Sequence, residues 1–359
     1  MKTKYLILMG VLLILAVILS GCASGLTASS WPGVTADANN AYIAGGPYVY
    51  AVNLQTGAEV WRYPAKAATS TPFYATPVLT SDGQLIVSSF DHKLYSLNPK
   101  TGAENWRFEQ AKDRWIGGAL VTSDTIYAPN ADYNLYALTL TGSLKWVAPF
   151  QADQAIWGTP VTDGTNVYFG TLGRHVYAVN ATTGKQVWVQ IVDGAVIGSP
   201  VLGVNNTLYV GTYGGVLVSL NTSDGTIFKK DSTSSWIWSG PAQDGTNVYV
   251  GDAKGMFYAF PMTGSSQPWT QQLNGAIIGS PLVSDTTIVV GTEAGNVYFM
   301  DNTGKNIQPI AVSGKIYATP ATASTSAGSL ILVAPTSGSN ILVALNLTGT
   351  IQWSFTPAK

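Results

Sequence analysis

One short pattern recurs along the chain and decides what it can fold into: a glycine preceded by Thr or Asp, set just after a strand rich in Tyr and Val. It stands at Gly57, Gly102, Gly142, Gly184, Gly225, Gly264, Gly304 and Gly349. The spacings are 45, 40, 42, 41, 39, 40 and 45 residues, the length of a four-stranded propeller blade. A unit this small cannot bury its own apolar face, so its stability must come from neighbours stacked around a ring. Eight copies use nearly all of the 359 residues and leave no room for another folded domain. The expected fold class is all-β, an eight-bladed β-propeller of four-stranded antiparallel blades over residues 29–359, monomeric because a closed ring completes itself.

The fourth copy shows the unit most clearly. Trp157-Gly-Thr-Pro-Val161, Asn166-Val-Tyr-Phe-Gly170, His175-Val-Tyr-Ala-Val-Asn180 and Lys185-Gln-Val-Trp188 read as four short strands. Asp163-Gly164, Leu172-Gly173 and Thr183-Gly184 supply the turns between them, where glycine tolerates positive φ and Asp or Thr caps the chain. Alternation in Val167-Tyr168-Phe169 and Val176-Tyr177-Ala178 sends successive side chains to opposite faces of the blade. With each blade built from consecutive residues, from Trp31 to Phe355, the ring needs no swapped strand. In the alternative closure, residues 23–34 complete blade eight from outside.

Composition agrees. Charged residues are 10% of the chain and hydrophobic ones 46%, which suits a large core and excludes a charge-rich disordered protein. Lys plus Arg number 18 against 19 Asp plus Glu, a formal net charge of −1, so no basic surplus is available for a nucleic-acid backbone.

The N-terminus carries a different message. Lys2 and Lys4 precede an apolar run from Tyr5 to Leu19, too short for an ordinary bilayer span but suited to an export signal. Cys22, the chain's single cysteine, follows at once in Leu19-Ser20-Gly21-Cys22, which resembles the lipobox of bacterial lipoproteins. The resemblance implies a signal peptide over residues 1–21, diacylglycerol on the Cys22 thiol, a tether over residues 22–28 and an extracytoplasmic, membrane-anchored mature protein. Removing residues 1–21 takes away two lysines and no acids, leaving 16 basic and 19 acidic residues, net −3. A lone cysteine also excludes disulfides and Cys-rich metal centres within one chain.

Ala51-Val-Asn53-Leu-Gln-Thr56-Gly57-Ala-Glu-Val-Trp61 resembles the tryptophan-docking pattern A-x-D/N-x-x-T-G-x-x-x-W of the PQQ-like propeller family. Trp106, Trp146, Trp188 and Trp353 stand at the same offset and Trp269 one residue later, whereas copy five offers Phe228 and copy seven Gln308. The resemblance implies that the six indoles dock on neighbouring blades and are structural.

Propeller topology puts the turn between second and third strands, and the loop joining one blade to the next, on a common top face. The top turns vary: Phe90-Asp91-His92-Lys93, Asn130-Ala-Asp132-Tyr133, Gly173-Arg174-His175, Asp252-Ala-Lys254 and Thr292-Glu293. Tyr74, Ile116, Trp157, Ile197, Trp238, Ile278 and Tyr317 enter the inner strands there, with Arg114, Trp115 and Trp236 just before them. They suggest an aromatic-walled mouth at the axis, and with His92 and His175 they form the candidate binding face. The two histidines lie two blades apart, a poor spacing for a metal, and no G-x-S-x-G, H-E-x-x-H or P-loop occurs. No catalytic residue is assigned.

The PQQ-like family includes quinoprotein alcohol dehydrogenases, which bind PQQ with calcium, and non-enzymatic scaffolds such as the BamB-type lipoprotein branch. The chain is more similar to the second, because it lacks the adjacent cysteine pair of the dehydrogenases. The implied function is a lipid-anchored scaffold that binds a protein partner in envelope or outer-membrane protein assembly, without a cofactor. The alternatives are a PQQ-dependent oxidoreductase and a carbohydrate or cell-surface polymer binder.

Overall fold

The structure, a computed structural model, describes residues 31–358 apart from 68–71, 265–266 and 285. The export segment, Cys22 and residues 22–28 therefore lie outside the described residues. The described residues form eight four-stranded antiparallel sheets and one two-stranded ribbon; seven sheets use consecutive strands, and in the eighth a ribbon strand intervenes between the second and third. In blade four the strands are Val161–Thr162, Asn166–Gly170, His175–Asn180 and Gln186–Ile191, from axis to rim. The inner strands are short, two residues in blades two to seven. The ribbon pairs Lys315–Ile316 with Pro335–Thr336 beside blade eight.

The apolar core is distributed over eight interfaces rather than gathered in one centre. Each buried cluster joins two adjacent blades, as the two-residue period dictates. Within blade four, Val167, Phe169, Tyr177 and Val179 face blade three, whereas Tyr168, Val176 and Ala178 face blade five.

The ring closes by packing. Val34–Ala36 is the inner strand of blade one, pairing with Asn40–Gly45. Val34, Ile43 and Val52 share a cluster with Leu330, Leu332 and Ala344 of blade eight. The alternative in which residues 23–34 extend blade eight is therefore corrected at Val34, which belongs to blade one.

The recurrent glycine has a local mechanism. Asn53 Oδ1 accepts the amides of Gln55 and Thr56, and Gly57 then takes φ 68°. A Cβ on Gly57 would sit 2.9 Å from the Trp353 ring, and one on Gly184 2.6 Å from the Trp146 ring. Glycine is needed there for both its backbone and its missing side chain. The indole N–H groups of Trp61, Trp106, Trp146, Trp188 and Trp353 donate to the carbonyls of Pro99, Leu140, Ala181, Thr222 and Leu54, each on the next blade, at 2.9, 3.0, 3.0, 2.8 and 2.7 Å. Trp269 lies against Gly304 through its ring. In blade five Phe228 is 60% exposed, and nothing approaches the Gly264 Cβ position within 4 Å. In blade seven Ile310, rather than Gln308, covers Gly349.

Candidate functional site

The top face is knitted by one repeated backbone bond. The amides of Trp115, Ile156, Val196, Ile237, Ile277 and Ile316, each on a loop entering a blade, donate to Ser89, Asn130, Thr171, Thr212, Asp252 and Thr292 in the top turn of the blade before. The next residue in each case, Ile116, Trp157, Ile197, Trp238, Ile278 or Tyr317, turns to the axis and lines the mouth with Tyr74 and Trp31.

This alternation corrects one sequence assignment. Trp115 is buried among Phe108 and Tyr136, with ring centroids at 6.3 and 5.3 Å, and does not reach the face. Its neighbour Ile116 takes the axial place. Trp31 also lines the mouth, and Tyr213 stacks on Trp236 beside it at 5.1 Å, two residues outside the sequence-predicted face. The available signals were that Trp31 precedes its inner strand as Trp157 does, and that Tyr213 sits in the top turn of blade five.

The mouth and the inner-strand ring below it enclose a cavity of about 160 Å³. A Cβ on Gly158 would lie 2.6 Å from the Gly198 carbonyl oxygen, and one on Gly198 2.2 Å from Ser239 and Gly240 backbone atoms. The inner strands thus approach one another as closely as backbones allow. Thr76, Thr159, Ser199, Ser280 and Thr319 contribute hydroxyls to the lining.

Around the mouth, the top-turn carboxylates are engaged by tyrosines. Asp91, Asp132 and Asp252 accept the hydroxyls of Tyr95, Tyr136 and Tyr258 at 2.6, 2.7 and 3.0 Å. Glu293 accepts Lys315 Nζ at 2.7 Å and Tyr317 OH at 2.9 Å, and these bonds, Lys315's first, hold its carboxyl below the usual range. Burial, helped by the adjacent carboxylates, pushes the Tyr95 and Tyr136 hydroxyls well above their ordinary range.

The two histidines occupy different places in their turns. His92 is at the exposed tip with φ 70°, the position filled by Tyr133, Arg174, Gly215, Gly255 and Gly295 in blades three to seven. His175 lies one residue later and meets Asp153 Oδ2 through Nδ1 at 2.7 Å. Asp153 also accepts Thr171 Oγ1 and Tyr177 OH. Arg114 lies exposed over Phe90 at 5.3 Å, beside Asp113. Among the described residues no three His, Cys, Asp or Glu side chains gather as metal ligands.

These residues do not fit PQQ with calcium. The axial lining carries no charged side chain, so a tricarboxylate quinone would have no counter-charge and calcium no carboxylate ligand there.

The rim shows another feature. Four of the eight outer strands carry guards against strand pairing: Glu59 and Arg62 in blade one, Glu104 and Arg107 in blade two, Lys229, Lys230 and Asp231 in blade five, and Pro309 in blade seven. Blade four has Gln186–Ile191, without charge or proline, and Val187, Val189 and Ile191 are 46%, 41% and 59% exposed at alternate positions. In blade three the outer strand shrinks to Phe150–Gln151, displaced beyond Trp146, and Val147 is fully exposed.

Fold and site together define an eight-bladed propeller of the PQQ-like kind, with an uncharged axis and, on blade four, a rim strand that exposes apolar side chains in alternation. The sequence signature described as "Outer membrane protein assembly factor BamB" matches residues 23–170, 151–239 and 229–358, and the chain belongs to that family. It is 27% identical over 187 residues to the "Outer membrane protein assembly factor BamB" of Legionella pneumophila (strain Paris), covering 49% of this chain and 48% of that protein. To the protein of the same name from Yersinia pestis it is 26% identical over 136 residues, 38% of this chain and 27% of that one. The chain thus matches about half the length of the first relative and about a quarter of the second. In three dimensions it is similar to BamB from Moraxella catarrhalis, with TM-score 0.68, 18% identity and coverage of 89% and 94% of the two chains. The computationally designed Ika8 protein superposes with TM-score 0.71 at 14% identity, over 92% and 96%.

Proposed function

We propose that the protein is a lipid-anchored, extracytoplasmic scaffold that takes part in assembling envelope proteins by accepting a strand of a partner along the outer edge of blade four. The unguarded strand Gln186–Ile191 carries this reading: its free edge offers main-chain donors and acceptors, and Val187, Val189 and Ile191 offer alternate apolar contacts to an added strand. Membership of a family described by outer-membrane protein assembly supports the same reading. The lipobox-like segment at Cys22 supports the anchor. The poor fit of the axis to PQQ and calcium favours a role without that cofactor.

Deleting the gene in its host tests the role. A fall in the amounts of β-rich envelope proteins, restored by the intact chain but not by one carrying Val189→Lys, is the expected result. Unchanged amounts of those proteins would contradict it.

A further inference from the structure

Five aromatic rings form one continuous cluster across the mouth. Tyr213 stacks on Trp236 at 5.1 Å and 26°, Trp236 meets Trp238 at 5.7 Å and 60°, and Trp31 meets Trp238 at 5.1 Å and 83° and Tyr317 at 6.3 Å and 61°. Three of these contacts are edge-to-face, so they join the five rings into one aromatic surface.

The indole nitrogens distinguish this cluster from the rim tryptophans. Five of the six rim indoles donate to a carbonyl of the next blade. Among the described residues, no hydrogen-bond partner receives the N–H of Trp31, Trp236 or Trp238, and none of the three is fully buried. An apolar body whose N–H is left to the outside is the arrangement favoured by tryptophan at a membrane–water interface.

The path of the chain points the same way. Trp31 belongs to the cluster, and Cys22 lies nine residues before it. Nine residues reach at most about 30 Å. An anchor on Cys22 therefore keeps Trp31, and with it the mouth, within about 30 Å of the bilayer. At the fringe Lys315 pairs with Glu293 and Lys230 with Asp193, and the chain from Cys22 onward has net charge −3. A net negative chain is not drawn as a whole to anionic lipid.

We infer that the cluster Tyr213, Trp236, Trp238, Trp31 and Tyr317 rests in the headgroup region of a zwitterionic phospholipid bilayer, so that the propeller stands mouth-down on its membrane and offers its rim to proteins. The inference rests on the lipid-anchor reading above.

The test uses the full chain, purified from membranes in detergent and returned to phosphatidylcholine vesicles whose acyl chains carry bromine either near the headgroup or near the chain end. Tryptophan fluorescence should be quenched at least twofold more by the shallow bromines, independently of salt, and Trp236→Phe with Trp238→Phe should remove most of that quenching while thermal unfolding stays unchanged. Mass spectrometry of the same sample reads diacylglycerol on Cys22 separately. If Cys22 is unmodified the anchor reading fails, and the thiol, the only one in the chain, is then coupled to a maleimide-bearing lipid on the same vesicles. Shallow quenching of the coupled protein would uphold the docking surface without the natural anchor. Absence of quenching in a tethered sample, natural or coupled, overturns the inference.

Discussion

Trp188 and Phe228 close the outer strands of consecutive blades, yet only one is buried. Trp188 is 7% exposed and donates to Thr222 O, whereas Phe228 is 60% exposed. Trp188→Ala should therefore cost about 3–5 kcal/mol and Phe228→Ala less than about 0.5 kcal/mol, measured by denaturant unfolding. Equal losses would contradict the docking role proposed for the rim indoles. The glycines offer a matching contrast. Gly184→Ala forces a side chain into φ 69° and against Trp146, for about 2–4 kcal/mol of lost stability, while Gly264→Ala, in open space, should fall within about 0.5 kcal/mol of neutral. At the top-turn tip, Tyr133 holds φ 73° where Gly215 holds 75°, so Tyr133→Gly should raise stability by up to about 1 kcal/mol despite the entropy glycine adds to the unfolded chain.

Among the elements, the turns between inner and second strands carry the pH dependence. Asp163 and Asp244 are partly buried, which pushes their carboxyls up. The amides of Asn166 and Asn247, the Tyr168 and Tyr249 hydroxyls, and the Thr165 and Thr246 amides more than offset that and hold both below the usual range. A depressed folded pKa contributes stability that is complete above the unfolded value, about 4, and is lost as pH falls through the lower folded value. Unfolding free energy should thus drop below about pH 4, and Asp163→Asn with Asp244→Asn should flatten that slope by lowering stability above pH 5 toward its low-pH level. A slope unaffected by the double substitution would contradict this. Turns and strands were legible in the sequence because their determinants are local: Asp-Gly or Thr-Gly at a corner, alternation along a strand, a tryptophan four residues beyond a glycine. Trp115, Ile310 and the displaced outer strand of blade three were not, because the side chosen by one residue on a loop, or the filling of a dock lacking tryptophan, depends on the neighbouring blade. The mouth was legible in outline only. Trp31 lies far in sequence from Trp238 and Tyr317, and only ring closure brings them together.

At the scale of the whole propeller, eight blade interfaces and a tight backbone ring at the axis hold the described residues together. The rim strands of blades four, six and eight lack charge and proline, and among the described residues only that of blade four exposes three apolar side chains in alternation. The most direct measurement places a photoactivatable cross-linking residue at Val189 in the living host, with an identical probe at exposed Thr165 in an Asp-Gly turn of the same blade as the control. The account predicts a discrete protein adduct from Val189 that is absent from Thr165 and lost when Val187 and Ile191 are both replaced by Lys. Adducts of equal strength from both positions, or none from Val189, would contradict it.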